Sequence, residues 1–365
     1  MKHINIQILR ALAAMAVVFY HSGIETMSIC ESQGRTCNYE IWGLGFGVPL
    51  FFIISGFIMV VTTWGQFGSL ASAGSFLRRR IYRIVPLYWL VTTLAVVGFL
   101  LVPGMIKLDA LTQSYVTSSY FFWPTERPNG LVRPIANLGW TLNLEMFFYV
   151  LFALALLLKR TGGLLLVVGT LILLSLLHGL GVFAGNVPLY FWSDPIILGF
   201  VAGIGVGVAY KKGYRINARQ RLALLCAFVA AIVVSYFAIP DSFFMRESDS
   251  LIIRLTFTIA CLPMLIIGAL GPQLQGRGFA SRAAMLIGDA SYSLYLIHPF
   301  FLRAMQKVWA KLVGDSLPEY FFIPAALAVA LAVGIGMYYA FERPVMKLLE
   351  AKREKVLELK TAVQA

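Results

Sequence analysis

The sequence predicts an all-α protein, a polytopic membrane protein with about ten transmembrane helices. Three observations carry that expectation. Hydrophobic residues make up 59% of the 365 positions and charged residues 13%, about half the charged share of an ordinary soluble domain. Apolar stretches of membrane-crossing length recur at residues 5–23, 46–63, 83–102, 138–158, 163–181, 189–210, 221–239, 252–270, 284–302 and 320–340. Lysine and arginine then gather in alternate connections: Lys2 and Arg10; Arg78, Arg79, Arg80 and Arg83; Lys159 and Arg160; Lys211, Lys212, Arg215, Arg219 and Arg221; Arg277 and Arg282; and six from Arg343 to Lys360. The positive-inside rule places that side and both termini in the cytoplasm. The net charge of +13 is therefore read as topology, and no nucleic-acid partner is expected. Arg10 interrupts the first apolar stretch and no small-residue cleavage pattern precedes Glu25, so that stretch reads as a retained helix. Residues 1–345 form one transmembrane unit. Residues 346–365 alternate charge with apolar positions and read as an amphipathic tail on the cytoplasmic membrane surface.

The first span carries Arg10 and His21, eleven residues apart. At about 100° per residue they share one helical face, separated by about 16 Å along the axis. Ionisable groups inside a membrane helix are costly and mark a pathway or an active site. The competing reading has Arg10 reaching lipid headgroups and His21 at the interface. In the connection that follows, Cys30 and Cys37 are expected to form a disulfide in an oxidising compartment. Cys226 and Cys261 read as core, and no metal site is expected from the four cysteines. Gly43, Gly45 and Gly47 lack the preceding strand of a nucleotide fingerprint, so they read as a glycine-rich start to the second span. Ser55-Gly56 reads as a close helix contact, with a nucleophilic serine as the lesser alternative.

Before the third span stand Arg78, Arg79, Arg80 and Arg83. Two readings stay open: an anchor for lipid phosphates, or a site for a polyphosphorylated cytosolic ligand, since arginine forks match phosphate oxygens. The long connection 103–137 holds Tyr115, Tyr120, Trp123, Arg127 and Arg133. Such a loop suits sugar rings, or forms an interfacial aromatic belt. The fourth span holds Glu145 about 10 Å from its start, and a Glu145–His21 pair would satisfy two costly groups at once. A protonated Glu145 bonded to a neighbouring helix is the alternative. The sixth span carries Asp194, then Gly199, Gly203 and Gly207 on a packing face. His178 reads as interfacial. In the ninth, Ser291, Tyr295 and His298 fall on one face, and Pro299 frees a backbone carbonyl beside them. His298 is either a site residue or a packed or capping histidine.

Taken together, Arg10 with His21, Phe51-Phe52-Ile53-Ile54-Ser55-Gly56-Phe57, Arg79-Arg80-Ile81-Tyr82-Arg83-Ile84-Val85-Pro86, Gly139-Trp140-Thr141-Leu142-Asn143-Leu144-Glu145, Ser291-Tyr292-Ser293-Leu294-Tyr295-Leu296-Ile297-His298 and Phe341-Glu342-Arg343-Pro344 resemble the ordered signature blocks of the membrane-bound acyltransferase family 3. The tryptophan block looks most like the branch that acetylates bacterial exopolysaccharides. The resemblance implies a bacterial inner-membrane enzyme using cytosolic acyl-CoA, with acetyl-CoA the expected co-substrate, and a carbohydrate hydroxyl as acceptor. It implies that the histidine matching His21 is catalytic and that Arg10 belongs to the same motif. Some members append an extracytoplasmic hydrolase-like domain. Its absence here implies that transfer finishes in the membrane domain or passes to a partner of polysaccharide synthesis.

The residue chemistry agrees with an O-acyltransferase, which needs a base and charge stabilisation for an oxyanion. His21 is the base candidate, or a transient acyl carrier, with Glu145 orienting it. Arg78, Arg79, Arg80 and Arg83 would hold the CoA phosphates, and Arg10 would lie along the pantetheine path. Trp140, Asn143, Tyr149, Asp194, Tyr295 and His298 are the candidate acceptor-binding residues. The alternative from another class is a carrier or flippase for a lipid-linked sugar. No inverted repeat of the spans supports it, and it gives the arginine cluster no task. A non-catalytic assembly partner would leave His21 and Glu145 unexplained.

Overall fold

The computed structural model describes residues 3–37, 46–101, 111–127, 130–238, 251–274 and 278–351. Among them the chain is helical, with a single isolated bridge between Glu126 and Val132. The helices are α1 (Ile4–Ser32), α2 (Gly47–Thr63), α3 (Leu70–Leu101), α4 (Gln113–Tyr120), α5 (Gly139–Ala155), α6 (Arg160–Gly179), α7 (Val187–Trp192), α8 (Leu198–Lys211), α9 (Ala218–Ala238), α10 (Leu251–Leu270), α11 (Phe279–Asp289), α12 (Ser291–Leu312) and α13 (Phe322–Met337). Among the described residues helix covers most of each predicted apolar stretch, with breaks at Ser193-Asp194 in the sixth and at Ala290 in the ninth. Five helical stretches among the described residues are long and apolar enough to cross a membrane: Ile4–Ser32, Leu70–Leu101, Arg160–Gly179, Val187–Lys211 and Glu319–Ala351. Gly47–Thr63, Gly139–Ala155 and Thr258–Leu270 are apolar but shorter. Leu165, Leu173 and Leu176 on α6, and Leu222, Val229 and Val234 on α9, are exposed. Apolar rows of this kind suit a hydrocarbon surround.

The α1 helix is the hub and packs against α2, α10, α11, α12 and α13. It runs nine residues beyond its predicted end at residue 23. The extension is held by packing: Ile29 joins Leu302, Trp309, Phe322 and Ala326 in a buried cluster. A disulfide joins Cys30, in the last turn of α1, to Cys37 beyond the helix end, and Arg35 pairs with Glu319 at 3.5 Å. Among the described residues, Cys30, Cys37 and Glu319 also have the spacing of metal ligands, but sulfurs in a disulfide offer no thiolate.

The third predicted span, 83–102, also proves longer, because helix begins at Leu70 and takes in all four arginines. Phe76, fully buried against Phe152, supplies the apolar contact that holds this first half of α3. The ninth predicted span, 284–302, is two helices. α11 ends at Asp289, and Ser291 stands at the head of α12. Residue 352 onward, most of the predicted tail, lies outside the described residues.

The α2–α8 contact depends on small residues. A Cβ built on Gly56 would stand 2.2 Å from the Phe200 carbonyl oxygen, and one on Gly203 would stand 2.0 Å from that of Ile53. No side chain moves aside to relieve a clash with backbone. Gly203→Val should therefore destabilise the protein by at least about 1–3 kcal/mol. A thermal melt in detergent reads this as a lower midpoint; an unchanged midpoint would refute the packing. Because Gly56 faces α8, its neighbour Ser55, about 100° round the helix, turns toward α5.

Candidate active site

Ser55 lines a cavity of about 90 Å³ that also receives Arg10, Arg80, Arg83, Glu145, Tyr149, Ser291, Tyr292 and Tyr295. Arg10 is buried. It donates to Gln7 Oε1 at 3.0 Å and to Ser291 Oγ at 2.8 Å, so the break before α12 places a hydroxyl on the first-helix arginine. Arg80 and Arg83, three residues apart, share a face of α3. The Arg80 guanidinium lies over Phe76 at 5.4 Å and Tyr149 at 5.5 Å, and its buried Nε has no hydrogen-bond partner among the described residues. Glu145 accepts from Ser55 Oγ at 2.7 Å and from the Tyr149 hydroxyl. Three arginines against one lining carboxylate leave the cavity with positive charge, and oriented guanidinium donors there suit an anion.

The other two arginines of the cluster do not join this cavity. Arg78 is exposed, and Arg79 donates to Ser75 Oγ at 2.5 Å and toward Gln66 at 3.5 Å. Arg78 and Arg80 point about 160° apart around α3, so one face cannot hold all four.

The shared face of α12 links the cavity to a second group of side chains. Ser291 meets Arg10, and Tyr295 lines the cavity with its hydroxyl 2.8 Å from Thr141 Oγ1. One turn on, His298 stands beside His21, with ring centroids 5.2 Å apart. Arg10 with Ser291 and His21 with His298 are met in the same order along both helices, so α1 and α12 run parallel. His298 is fully buried, with Nδ1 3.0 Å from the Leu294 carbonyl oxygen.

The expected pairing of His21 with Glu145 gives way to two separate pairs. Thr141 is level with the Tyr295 hydroxyl, and α5 runs from there toward Arg10. Glu145 is a turn beyond Thr141 in one direction and His298 a turn beyond Tyr295 in the other, so about 10 Å separates their levels. Glu145 thus belongs with the arginines, held by Ser55 and Tyr149.

Among the candidate acceptor residues, Tyr149 and Tyr295 line the cavity and His298 adjoins it. The others serve the surrounding wall. Trp140 lies under the Arg133 guanidinium at 4.6 Å. Asn143 Oδ1 accepts from Trp192 Nε1 at 2.9 Å, and Asp194 accepts from the Ile196 backbone N–H at 2.9 Å as a helix cap. Tyr292 lines the cavity without having been singled out in the sequence, Ser55 enters as the acid's partner rather than as a nucleophile, and Ser291 enters as the partner of Arg10. Glu342 is buried nearby in the chain's C-terminal segment and accepts from Ser293 Oγ on α12.

The chain matches the model of the acyltransferase 3 family, described as an acyltransferase domain, over residues 3–339. It is 34% identical over 309 residues to the exopolysaccharide production protein ExoZ of Rhizobium meliloti (strain 1021), covering 84% of this chain and 91% of that one. It is 25% identical over 364 residues to the O-acetyltransferase OatA of Staphylococcus aureus (strain NCTC 8325 / PS 47), covering 93% of this chain but 56% of the relative. The chain therefore spans about half the length of OatA. No solved structure matches it. With its family match running through the helices that carry Arg10, His21, Glu145 and His298, the chain belongs to the acyltransferase 3 family.

Proposed function

We propose that this protein moves an acetyl group from cytosolic acetyl-CoA to a hydroxyl of a polysaccharide or lipid-linked sugar. The observation that carries the reading is the convergence of Arg10, Arg80 and Arg83 on one buried cavity. From it Tyr295 leads to the neighbouring rings of His298 and His21. An anionic donor with a long thioester arm matches such a passage. Arg80 and Arg83 hold phosphate oxygens, and the pantetheine arm runs past Arg10 and Ser291. The carbohydrate hydroxyl meets the thioester at His21.

His21 removes the hydroxyl proton as the oxygen attacks the thioester carbonyl. The tetrahedral oxyanion collapses, the C–S bond breaks, and the CoA sulfur takes the proton from His21. Glu145, tied to Ser55 and Tyr149, balances the arginines and fixes the donor wall. In this reading the arginine-rich end and both termini face the cytosol, in the bacterial inner membrane, with the excess of cationic loops as support. The names of ExoZ and OatA support a polysaccharide acceptor and an acetyl group.

The test is mass spectrometry of surface polysaccharide from cells with and without the gene. Loss of O-acetyl esters, restored by the wild-type gene and not by His21→Ala, is the expected result. Identical acetylation in both strains rejects the reading.

A further inference from the structure

We infer that His298 is a positioning residue that fixes the proton of His21, so that the two histidines work as a dyad. The inference rests on the reading of His21 as the base. A backbone carbonyl can only accept, so the His298 Nδ1 facing Leu294 O at 3.0 Å carries the hydrogen. The neutral ring then presents a lone pair at Nε2. That atom is fully buried and has no hydrogen-bond partner among the described residues. A buried nitrogen left this way is costly unless something comes to it.

The His21 ring is the neighbour in place, 5.2 Å away between centroids and tilted by 53°. Two imidazoles at that separation bring facing nitrogens to about 3 Å by rotation of one ring, which is hydrogen-bond distance. His21 then donates one N–H to His298 Nε2, and its other nitrogen is left bare toward the acceptor hydroxyl. This is the arrangement that a buried carboxylate supplies in other base–orienter pairs, where the hydrogen bond at one ring nitrogen decides which nitrogen is basic. Here Glu145 is about two turns away, bonded to Ser55 and Tyr149, and the second imidazole takes the place. When His21 accepts the hydroxyl proton, His298 stabilises the resulting cation by accepting its N–H. No net proton leaves the pair, because the thiolate takes the proton back from His21. Pro299 follows His298 directly, and a proline there removes one backbone donor from the helix around the ring.

The test compares His298→Phe and His298→Gln in purified, monodisperse protein, with His21→Ala alongside. Phenylalanine keeps a ring but cannot accept, so the maximal transfer rate should fall at least about tenfold, while the donor and acceptor concentrations giving half-maximal rate stay within about twofold. Glutamine can donate to the Leu294 carbonyl and offer its Oε1 to His21, so it should restore the rate to within about fivefold of wild type. If His298→Phe is not monodisperse, His298→Leu takes its place. Wild-type rates in the apolar variant overturn the inference, as does a glutamine variant as impaired as the apolar one. Normal transfer by His21→Ala would instead overturn the reading of His21 on which the dyad depends. An inactive His21→Ala with a fully active apolar variant removes the dyad and leaves that reading intact.

Discussion

His21→Ala should abolish acyl transfer and leave the donor bound. Loss of a positioned base typically costs 10²–10⁴-fold, so residual transfer should be at or below about one per cent. Donor binding should survive, because His21 is about 16 Å along α1 from Arg10, and the arginine cavity is lined by other side chains. The fold should survive too. The α1 helix is held along its whole length by five neighbouring helices, and its far end is closed by the Cys30–Cys37 disulfide. Transfer assays with isothermal calorimetry of donor binding on one purified sample separate the two effects. Near-normal transfer in a folded sample would move the active site away from His21.

Arg80→Ala and Arg83→Ala should each weaken acetyl-CoA binding by about tenfold or more. A hydrogen bond to a charged group contributes about 1.5–3 kcal/mol, and 1.4 kcal/mol is a factor of ten. Arg79→Ala should have a smaller effect, because that side chain is engaged with Ser75 and Gln66. Arg78→Ala should act through surface charge alone, weakly and in a salt-dependent way. Equal losses at all four positions would mean that the ligand grips the cluster from outside, as a lipid headgroup would. Unchanged affinity at Arg80 and Arg83 would reject the donor site.

What the sequence made legible is what helical periodicity decides. Arg10 with His21, and Ser291 with Tyr295 and His298, share faces by spacing alone; Arg10, Ser291 and Tyr295 line the cavity, and His21 meets His298 beside it. Gly199, Gly203 and Gly207 were readable as a packing face for the same reason, and their contacts with α2 agree. What stayed hidden is what depends on where each helix starts relative to its neighbours. The α1 helix continues to Ser32 and α3 begins at Leu70, because apolar residues pack beyond the stretches that hydropathy marks. Depth inferred from span ends therefore set Glu145 opposite His21, whereas α5 carries it down to the arginines. The division of the arginine cluster follows only in part from azimuth. Arg78 and Arg80 point about 160° apart, whereas Arg83 lies between Arg79 and Arg80 on the helical wheel, so what takes Arg79 out of the cavity is its contact with Ser75 and Gln66. The bond from Ser55 to Glu145 was hidden because its direction follows from its neighbour: Gly56 seats α2 on α8, and only then does Ser55 face Glu145.

In the proposed mechanism donor binding at the arginines is separate from chemistry at the histidines. Release of CoA by purified protein, measured against acetyl-CoA concentration with a saturating carbohydrate acceptor, tests it most directly for wild type, Arg80→Ala and His21→Ala. The account predicts that Arg80→Ala needs about tenfold more donor for half-maximal rate and approaches the wild-type maximum, while His21→Ala stays below about one per cent of that maximum at every donor concentration. A His21→Ala protein that reaches the wild-type rate once donor is raised would contradict it.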